Sequence, residues 1–315
     1  MRAPRALSQS RRCVLVHGLA YFGEIFSEFM SGDGWEFVYY PDRGLTNLVS
    51  MGKALRRCDL VYQIGGRVTI GKFLAAAKLF RKDRIVMHWV GSDSLEAQSA
   101  VFSGKCDPWV VNSIHHWADS TWILNEVRDL GVGCAYVPLP SPRIPNKPEA
   151  LPGEFAVLVY VPSVKCGELY GLDMILEAAR ALPDVRFELV GLRDGPLRSH
   201  PENIRVHSRI PDLTDFYRKT TVVWRPTRHD GLSWTVCEAL GHGRHVMWSY
   251  PFPGCALVRS ASEAVTEIRK LQHLHAAREL KVNREGASFI STSDFCPANF
   301  RRNIRCRLEK ILAST

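Results

Sequence analysis

Asp230 and Glu238 stand eight residues apart in the stretch 224–248, WRPTRHDGLSWTVCEALGHGRHVMW. This stretch reads as a strand (222–225), a turn of polar residues and glycine, a helix opening near Ser233, and a second strand (245–250). Gly231 leaves the backbone beside Asp230 uncrowded, and Leu232 leads into Ser233. A serine at that place can cap the helix, so that the amides beyond it point into the turn as an anion site. A strand feeding a helix N-terminus, with a carboxylate on either side, suits a ligand with phosphate at one end and hydroxyls at the other. The plain alternative is an ordinary strand–helix–strand segment whose acids face water.

Pro226, Thr227, Arg228, His229, Asp230 and Gly231, followed by Glu238, Ala239 and Gly241, resemble a signature of family-4 retaining glycosyltransferases. In that family the pattern opens P-S-R-x-E-G, places a second Glu, followed by Ala, after seven residues intervening from the first acid, and closes on Gly. The resemblance implies the GT-B architecture, in which two Rossmann-like, doubly wound α/β domains face a central cleft. It also implies roles: Asp230 beside the donor sugar, hydrogen-bonding its hydroxyls, and Glu238 on the ribose of the nucleotide. Asp replaces the family's Glu at 230, which keeps the charge and shortens the reach by one methylene.

The same resemblance fills in the remaining site. The family grips the diphosphate with an Arg and a Lys in the loop after the first strand of the second domain. Here that loop is VPSVKCGELYGLD, which puts Lys165 at the Arg position and Tyr170 at the Lys position. Lys165 is equally well read as a surface lysine, and Arg225 or Arg228 could supply the second charge. Gly191 ends a strand where relatives pass the chain beneath the nucleotide, and the backbone of Arg209 or Ile210 is expected to read the base. In the first domain, His88-Trp89-Val90-Gly91-Ser92-Asp93 resembles the family's H-G-S-D segment. Val90 takes the place of its histidine, and His88, two residues earlier on the same strand face, is expected to reach inward. Asp93 is better read as a helix cap. Gly18, after His17, is expected to make a tight turn toward the nucleotide.

Attack in this family is taken to come from the front face, with the donor phosphate receiving the acceptor proton, so no strong side-chain base is implied. The donor would be a UDP- or GDP-linked sugar, the acceptor a hydroxyl on a glycan, lipid-linked or small molecule. No DxD occurs and the histidines lack ligand spacing, so neither metal nor cofactor is implied. Asp230, Tyr170 and Val90 all depart from the family pattern. They keep open a second reading, a GT-B-shaped binding or scaffold protein with impaired catalysis. An epimerase would need an acid–histidine set that the chain does not offer.

The elements that must hold these groups follow the same plan. A chain of 315 residues suits two domains. Strand and helix patterns alternate through both halves, the mark of parallel sheets covered on both faces. Pro138, Pro140, Pro142, Pro145, Pro148 and Pro152 crowd the middle and read as an extended linker. The expected division is 1–148 (acceptor domain), 149–296 (nucleotide-sugar domain) and 297–315 (a basic helix returning to the first domain). Nine cysteines without paired spacing read as reduced thiols in a cytoplasmic protein. The net charge of +9 is concentrated at the two ends. That argues against nucleic acid and suggests peripheral contact with an anionic membrane, or simply solvated termini.

Overall fold

The computed structural model describes residues 11–41, 48–195, 197, 199–208, 210 and 212–314. The chain divides into two compact units, Met1–Pro142 with Ala298–Thr315 and Arg143–Pro297. Each carries one six-stranded parallel sheet.

In the first unit the elements are β1 (Arg12–Gly18), α1 (Ala20–Met30), β2 (Trp35–Tyr39), α2 (Leu48–Arg57), β3 (Leu60–Ile64) and α3 (Lys72–Leu79). They continue with β4 (Ile85–Trp89), α4 (Asp93–Phe102), α5 (Pro108–Ser113), β5 (His115–Ala118), α6 (Thr121–Asp129) and β6 (Cys134–Tyr136). Sheet order is β2-β1-β3-β4-β5-β6. β3 (LVYQI) and β4 (IVMHW) are buried at every position, as strands covered on both faces must be. Leu15, Val61 and Met87 pack on one face with Leu55, Leu74 and Ile123 from the helices. Val14, Val16 and Tyr62 pack on the other with Phe26 of α1.

That second face is completed from the far end of the chain. Phe300, Ile304 and Leu308 of α12 (Pro297–Ala313) join it at helical spacing. The arginines of α12 serve the same docking. Arg305 donates to the carbonyls of Met30 (2.7 Å) and Gly32 (2.8 Å) and to Asp33. Arg301 donates to the carbonyl of Ser31, and Arg12 pairs with Glu309. Arg12, Arg301 and Arg305 thus have partners within the unit, while Arg11, Arg302, Arg307 and Lys310 are exposed. Arg2 and Arg5 lie outside the described residues.

The second unit runs β7 (Ala156–Val161), α7 (Leu172–Ala181), β8 (Arg186–Gly191), β9 (Ile204–Ser208), α8 (Thr214–Lys219), β10 (Val222–Arg225), α9 (Trp234–Gly241), β11 (His245–Trp248) and β12 (Cys255–Leu257). Two helices follow, α10 (Ala261–Ala276) and α11 (Arg284–Thr292). Sheet order is β12-β11-β10-β7-β8-β9, the doubly wound order in which the chain steps outward from β7 in both directions. The short edge strand β12 and helix α11 carry no clear signal in the sequence. α11 is held by its cap, where Asn283 accepts from the Gly286 amide, and by Gly254, which has no room for a side chain against Gly286.

The proline-rich segment forms neither helix nor strand, and its second part is pinned rather than loose. Gly241 leaves space for Ile144 and Pro145. Arg244, fully buried, donates to the carbonyls of Glu149 and Ala150.

Candidate functional site

In a doubly wound sheet, ligands gather beyond the carboxyl ends of the strands where the winding reverses. In the second unit that point lies between β7 and β10. Their following loops touch each other. Gly171 adopts a left-handed conformation (φ +67°), and a β-carbon there would meet the Pro226 carbonyl at 2.2 Å. The Arg228 amide donates to the Leu169 carbonyl at 2.8 Å.

Arg225, the last residue of β10, is buried beneath these loops. Its Nε and Nη2 donate to Asp230 Oδ2 (2.8 Å) and Oδ1 (3.1 Å), a two-pronged pair. Thr227 Oγ1 donates to Oδ2 as well, at 3.1 Å. The ring faces of Tyr170 and Tyr160 cover the guanidinium at 4.8 and 5.6 Å. Burial works against the charge on Arg225, but Asp230 outweighs it and leaves the pKa raised. Both oxygens of Asp230 thus carry protein hydrogen bonds, and Arg225 spends its Nε and Nη2 on them while its buried Nη1 has no protein partner among the described residues.

Arg228 is also engaged: Nη2 pairs with Asp173 at 2.7 Å and Nη1 donates to the Glu168 carbonyl. Lys165 lies exposed in a single 3-10 turn, 164–166, after β7. The loop around it is fixed from below. Ser163 Oγ and the Val164 amide donate to Asp194 at 2.7 and 2.9 Å, and these bonds hold the Asp194 carboxyl below its ordinary range. Gly191 turns with φ +120°, and a β-carbon there would meet the Val161 carbonyl at 2.1 Å. The close approach of two strand ends is reason enough for glycine at this place. Ile210 is half-buried outside any regular element, whereas Arg209 lies outside the described residues.

Gly231, Leu232 and Ser233 are all buried. Ser233 caps α9, its Oγ accepting from the Val236 amide at 3.4 Å. Glu238 follows one turn into the helix, 8% exposed. Its Oε2 accepts from the Tyr217 hydroxyl at 2.9 Å. Tyr217, from α8, is a partner that sequence reasoning missed. It stands 21 residues away on another helix, and no local pattern links the two.

The first unit reverses its winding between β1 and β3. Gly18 (φ +112°) closes on the Ile64 carbonyl, 1.9 Å from where a β-carbon would sit, and the Leu19 amide donates to the same carbonyl. His17 stacks on Phe73 at 3.8 Å. His88 does reach inward, but into packed protein. It is fully buried, Nδ1 lies 2.6 Å from the Tyr62 hydroxyl, and Nε2 lies 2.9 Å from the Val137 carbonyl. Burial lowers its pKa to about 3, against a rise from the Val137 carbonyl. Both ring nitrogens are therefore committed, which corrects the expectation that His88 serves the donor directly. His116 is likewise structural, bonded to the Val110 carbonyl and the Trp89 indole.

Asp93, the first residue of α4, does more than cap. Its carboxylate accepts from the amides of Gly66, Val90 (3.0 Å), Gly91 (2.9 Å) and Ser94 (3.1 Å). It thereby ties the loop after β3 to the loop after β4. Enclosure pushes its pKa up to about 6, with the four amides pulling the other way. Among the described residues no group of three or more His, Cys, Asp or Glu side chains gathers as a metal site. All nine cysteines are free.

Two doubly wound α/β units of this kind define the GT-B fold, and the chain has it. The solved structures that it is similar to are GT-B glycosyltransferases. A sucrose-phosphate synthase from Thermosynechococcus elongatus matches with a TM-score of 0.70 at 12% identity, over 96% of this chain and 100% of that one. WaaG, a glycosyltransferase involved in lipopolysaccharide biosynthesis, matches with a TM-score of 0.59 at 12% identity, over 92% and 99%. The pneumococcal O-GlcNAc transferase GtfA, solved with UDP and GlcNAc, matches at 0.59 and 13% identity, over 84% of this chain and 60% of that one. No family model matches the sequence, and no curated protein does. Among the described residues, no helix is long and apolar enough to cross a membrane.

Proposed function

We propose that the protein is a retaining glycosyltransferase that moves a sugar from a nucleotide-diphosphate sugar, UDP- or GDP-linked, to a hydroxyl acceptor. The observation that carries this reading is Glu238. It is a carboxylate enclosed beside the capped N-terminus of α9, next to the point where the second sheet reverses its winding. Burying a charge is costly, and a carboxylate retained there stands at the position to which the sequence resemblance assigns the ribose. In the pneumococcal neighbour the ligands are UDP and GlcNAc, and in the other two the names denote transfer or synthesis of sugars.

In this reading Glu238 accepts from the ribose hydroxyls, and Lys165 with the α9 N-terminus meets the diphosphate. The bond from the anomeric carbon to the phosphate oxygen breaks, and a bond from the acceptor oxygen forms on the same face. The acceptor proton passes to the leaving phosphate, so the protein's contribution is orientation and charge, without a metal. Arg302, Arg307 and Lys310 on α12 are exposed cations that an anionic surface could meet.

Calorimetric titration with UDP, GDP and ADP tests the reading. At least one should bind, and Glu238→Ala should weaken it by about tenfold or more while the thermal unfolding midpoint stays within a few degrees. Unchanged affinity in that variant would remove the support. A second reading, a nucleotide-sugar-binding protein with impaired catalysis, is favoured by the Arg225–Asp230 pair and by Tyr170 lying over it. Binding of a sugar nucleotide with no slow release of free nucleotide would select it.

A further inference from the structure

We propose that the outer face of α2 and α3 in the first unit is a docking surface for an anionic lipid bilayer. None of its residues belongs to the candidate site of the second unit, so it stands or falls separately from nucleotide binding.

Residues 48–84 carry nine Lys and Arg against Asp59 and Asp83 alone, a second concentration of positive charge besides the two ends of the chain. Five of these cations lie on the two helices. On α2 the exposed positions are Val49, Lys53, Arg56 and Arg57, about one turn apart, while Gly52 and Leu55 are buried behind them. On α3 they are Lys72, Ala75, Lys78 and Leu79, with Phe73, Leu74 and Ala77 behind. Neither helix contains an acid. The helices are neighbours at their C-terminal ends, where the Arg56 guanidinium lies 5.5 Å from the ring centre of Phe80 and Gly52 rests against the same ring. Val49 and Leu79 stand well out into water, 75% and 81% exposed.

In the second unit Arg186, Arg218, Arg228 and Arg269 are each met by a carboxylate. Among the described residues, none of the five cations of α2 and α3 forms an ion pair. Helix C-termini favour Arg56, Arg57 and Lys78, which stand in last turns. Lys53 is mid-helix, and Lys72 opens α3, where the dipole opposes a cation. Such like charges repel one another until an external anion meets them. The aliphatic side chains decide which anion. Nucleic acid is held through phosphates and through bases stacked on rings, and Val49 and Leu79 have no ring to offer. A bilayer presents phosphate head groups to the cations and acyl chains to the aliphatic tips at the same time. α12 lacks this combination. Its exposed cations have Glu309 among them, and its Phe300, Ile304 and Leu308 are turned inward on the opposite face of the sheet.

Co-sedimentation of the full chain with vesicles tests the surface, using phosphatidylcholine alone and phosphatidylcholine mixed with phosphatidylserine. Binding should require the anionic lipid and fade as salt is raised. Lys53→Gln/Lys72→Gln should weaken it by about 25-fold, at about fivefold for each charge near the surface. Val49→Ser/Leu79→Ser should weaken it by about tenfold and leave any binding of a short DNA duplex unchanged. Arg302→Gln/Arg307→Gln on α12 should cost far less than either pair. Glu238→Ala should bind vesicles as wild type does, whatever it does to nucleotides. All these side chains of the first unit are exposed, so the unfolding midpoints should stay together. Absence of wild-type binding to the anionic vesicles overturns the proposal. So does a larger loss from the α12 pair, which would move the contact to the other face. Vesicle binding indifferent to Val49→Ser/Leu79→Ser and matched by the DNA duplex would make the face a general polyanion surface, and overturns it as well.

Discussion

Asp93 and Asp230 stand at matching places in the two units, each beyond the carboxyl end of the fourth strand in chain order, β4 and β10. Both have lost most of their water, and they are compensated by different means. Asp93 is met by four backbone amides drawn from two loops. Asp230 is met by the guanidinium of Arg225 and the hydroxyl of Thr227. Amide dipoles carry no net charge, so Asp93 remains sensitive to pH, and burial shows in its raised pKa. A full opposite charge compensates Asp230 but couples it to Arg225. The first arrangement makes a joint between loops. The second makes a plug of charge under the Tyr170 ring.

The largest test removes one side of the plug. Arg225→Leu takes the guanidinium away from the Asp230 carboxylate and should cost about 3–5 kcal/mol of stability, read by chemical denaturation. The double change Arg225→Leu/Asp230→Leu should recover most of it. A single variant as stable as wild type would mean that the pair is not the compensation described.

A smaller effect sharpens the contrast through pH. The Asp93 carboxyl titrates at about 6 in the folded chain against an ordinary 3.8. Its contribution is thus complete below pH 4 and lost as pH rises to about 6. His88, at about 3 against an ordinary 6.5, acts in the opposite sense. Its contribution is complete above pH 6.5 and lost on acidification. Between pH 4 and 6 the two slopes oppose each other. Asp93→Asn should therefore expose the His88 slope, a fall in stability on acidification of up to about 1.4 kcal/mol per pH unit. Parallel profiles for the variant and wild type would show that Asp93 does not titrate in that window.

The smallest effect is expected at Arg228, whose pair with Asp173 is about half exposed on both sides. Arg228→Ala should change stability by less than about 1 kcal/mol. A larger loss would show that the Glu168 carbonyl contact also holds the loop after β7.

These differences mark where the sequence was readable. The alternation of strand and helix follows from apolar periodicity, because burial imposes it along each element separately, whereas the return of the last helix was implied only by the family resemblance. Ser233 and Glu238 could be placed from one short stretch for the same reason: strand, cap and helix are consecutive. The state of Asp230 was not legible, since the turn that folds it back onto Arg225 is a matter of backbone path rather than residue type. His88 shows the limit of alternation. The pattern says that its side chain shares a face with its second neighbour, but not that Tyr62 and Val137, 26 and 49 residues away, have already filled that face. Tyr217 escaped for want of any local sign.

The packing of α12 has a consequence for the order of synthesis. Phe300, Ile304 and Leu308 cover Phe26 and Tyr62, so the first unit is completed only after the 143–297 unit has been made. The 143–297 unit can close while its elder waits half-clad, with an aromatic face open to solvent and to chaperones. Emergence of α12, rather than of β6, is the event that seals it.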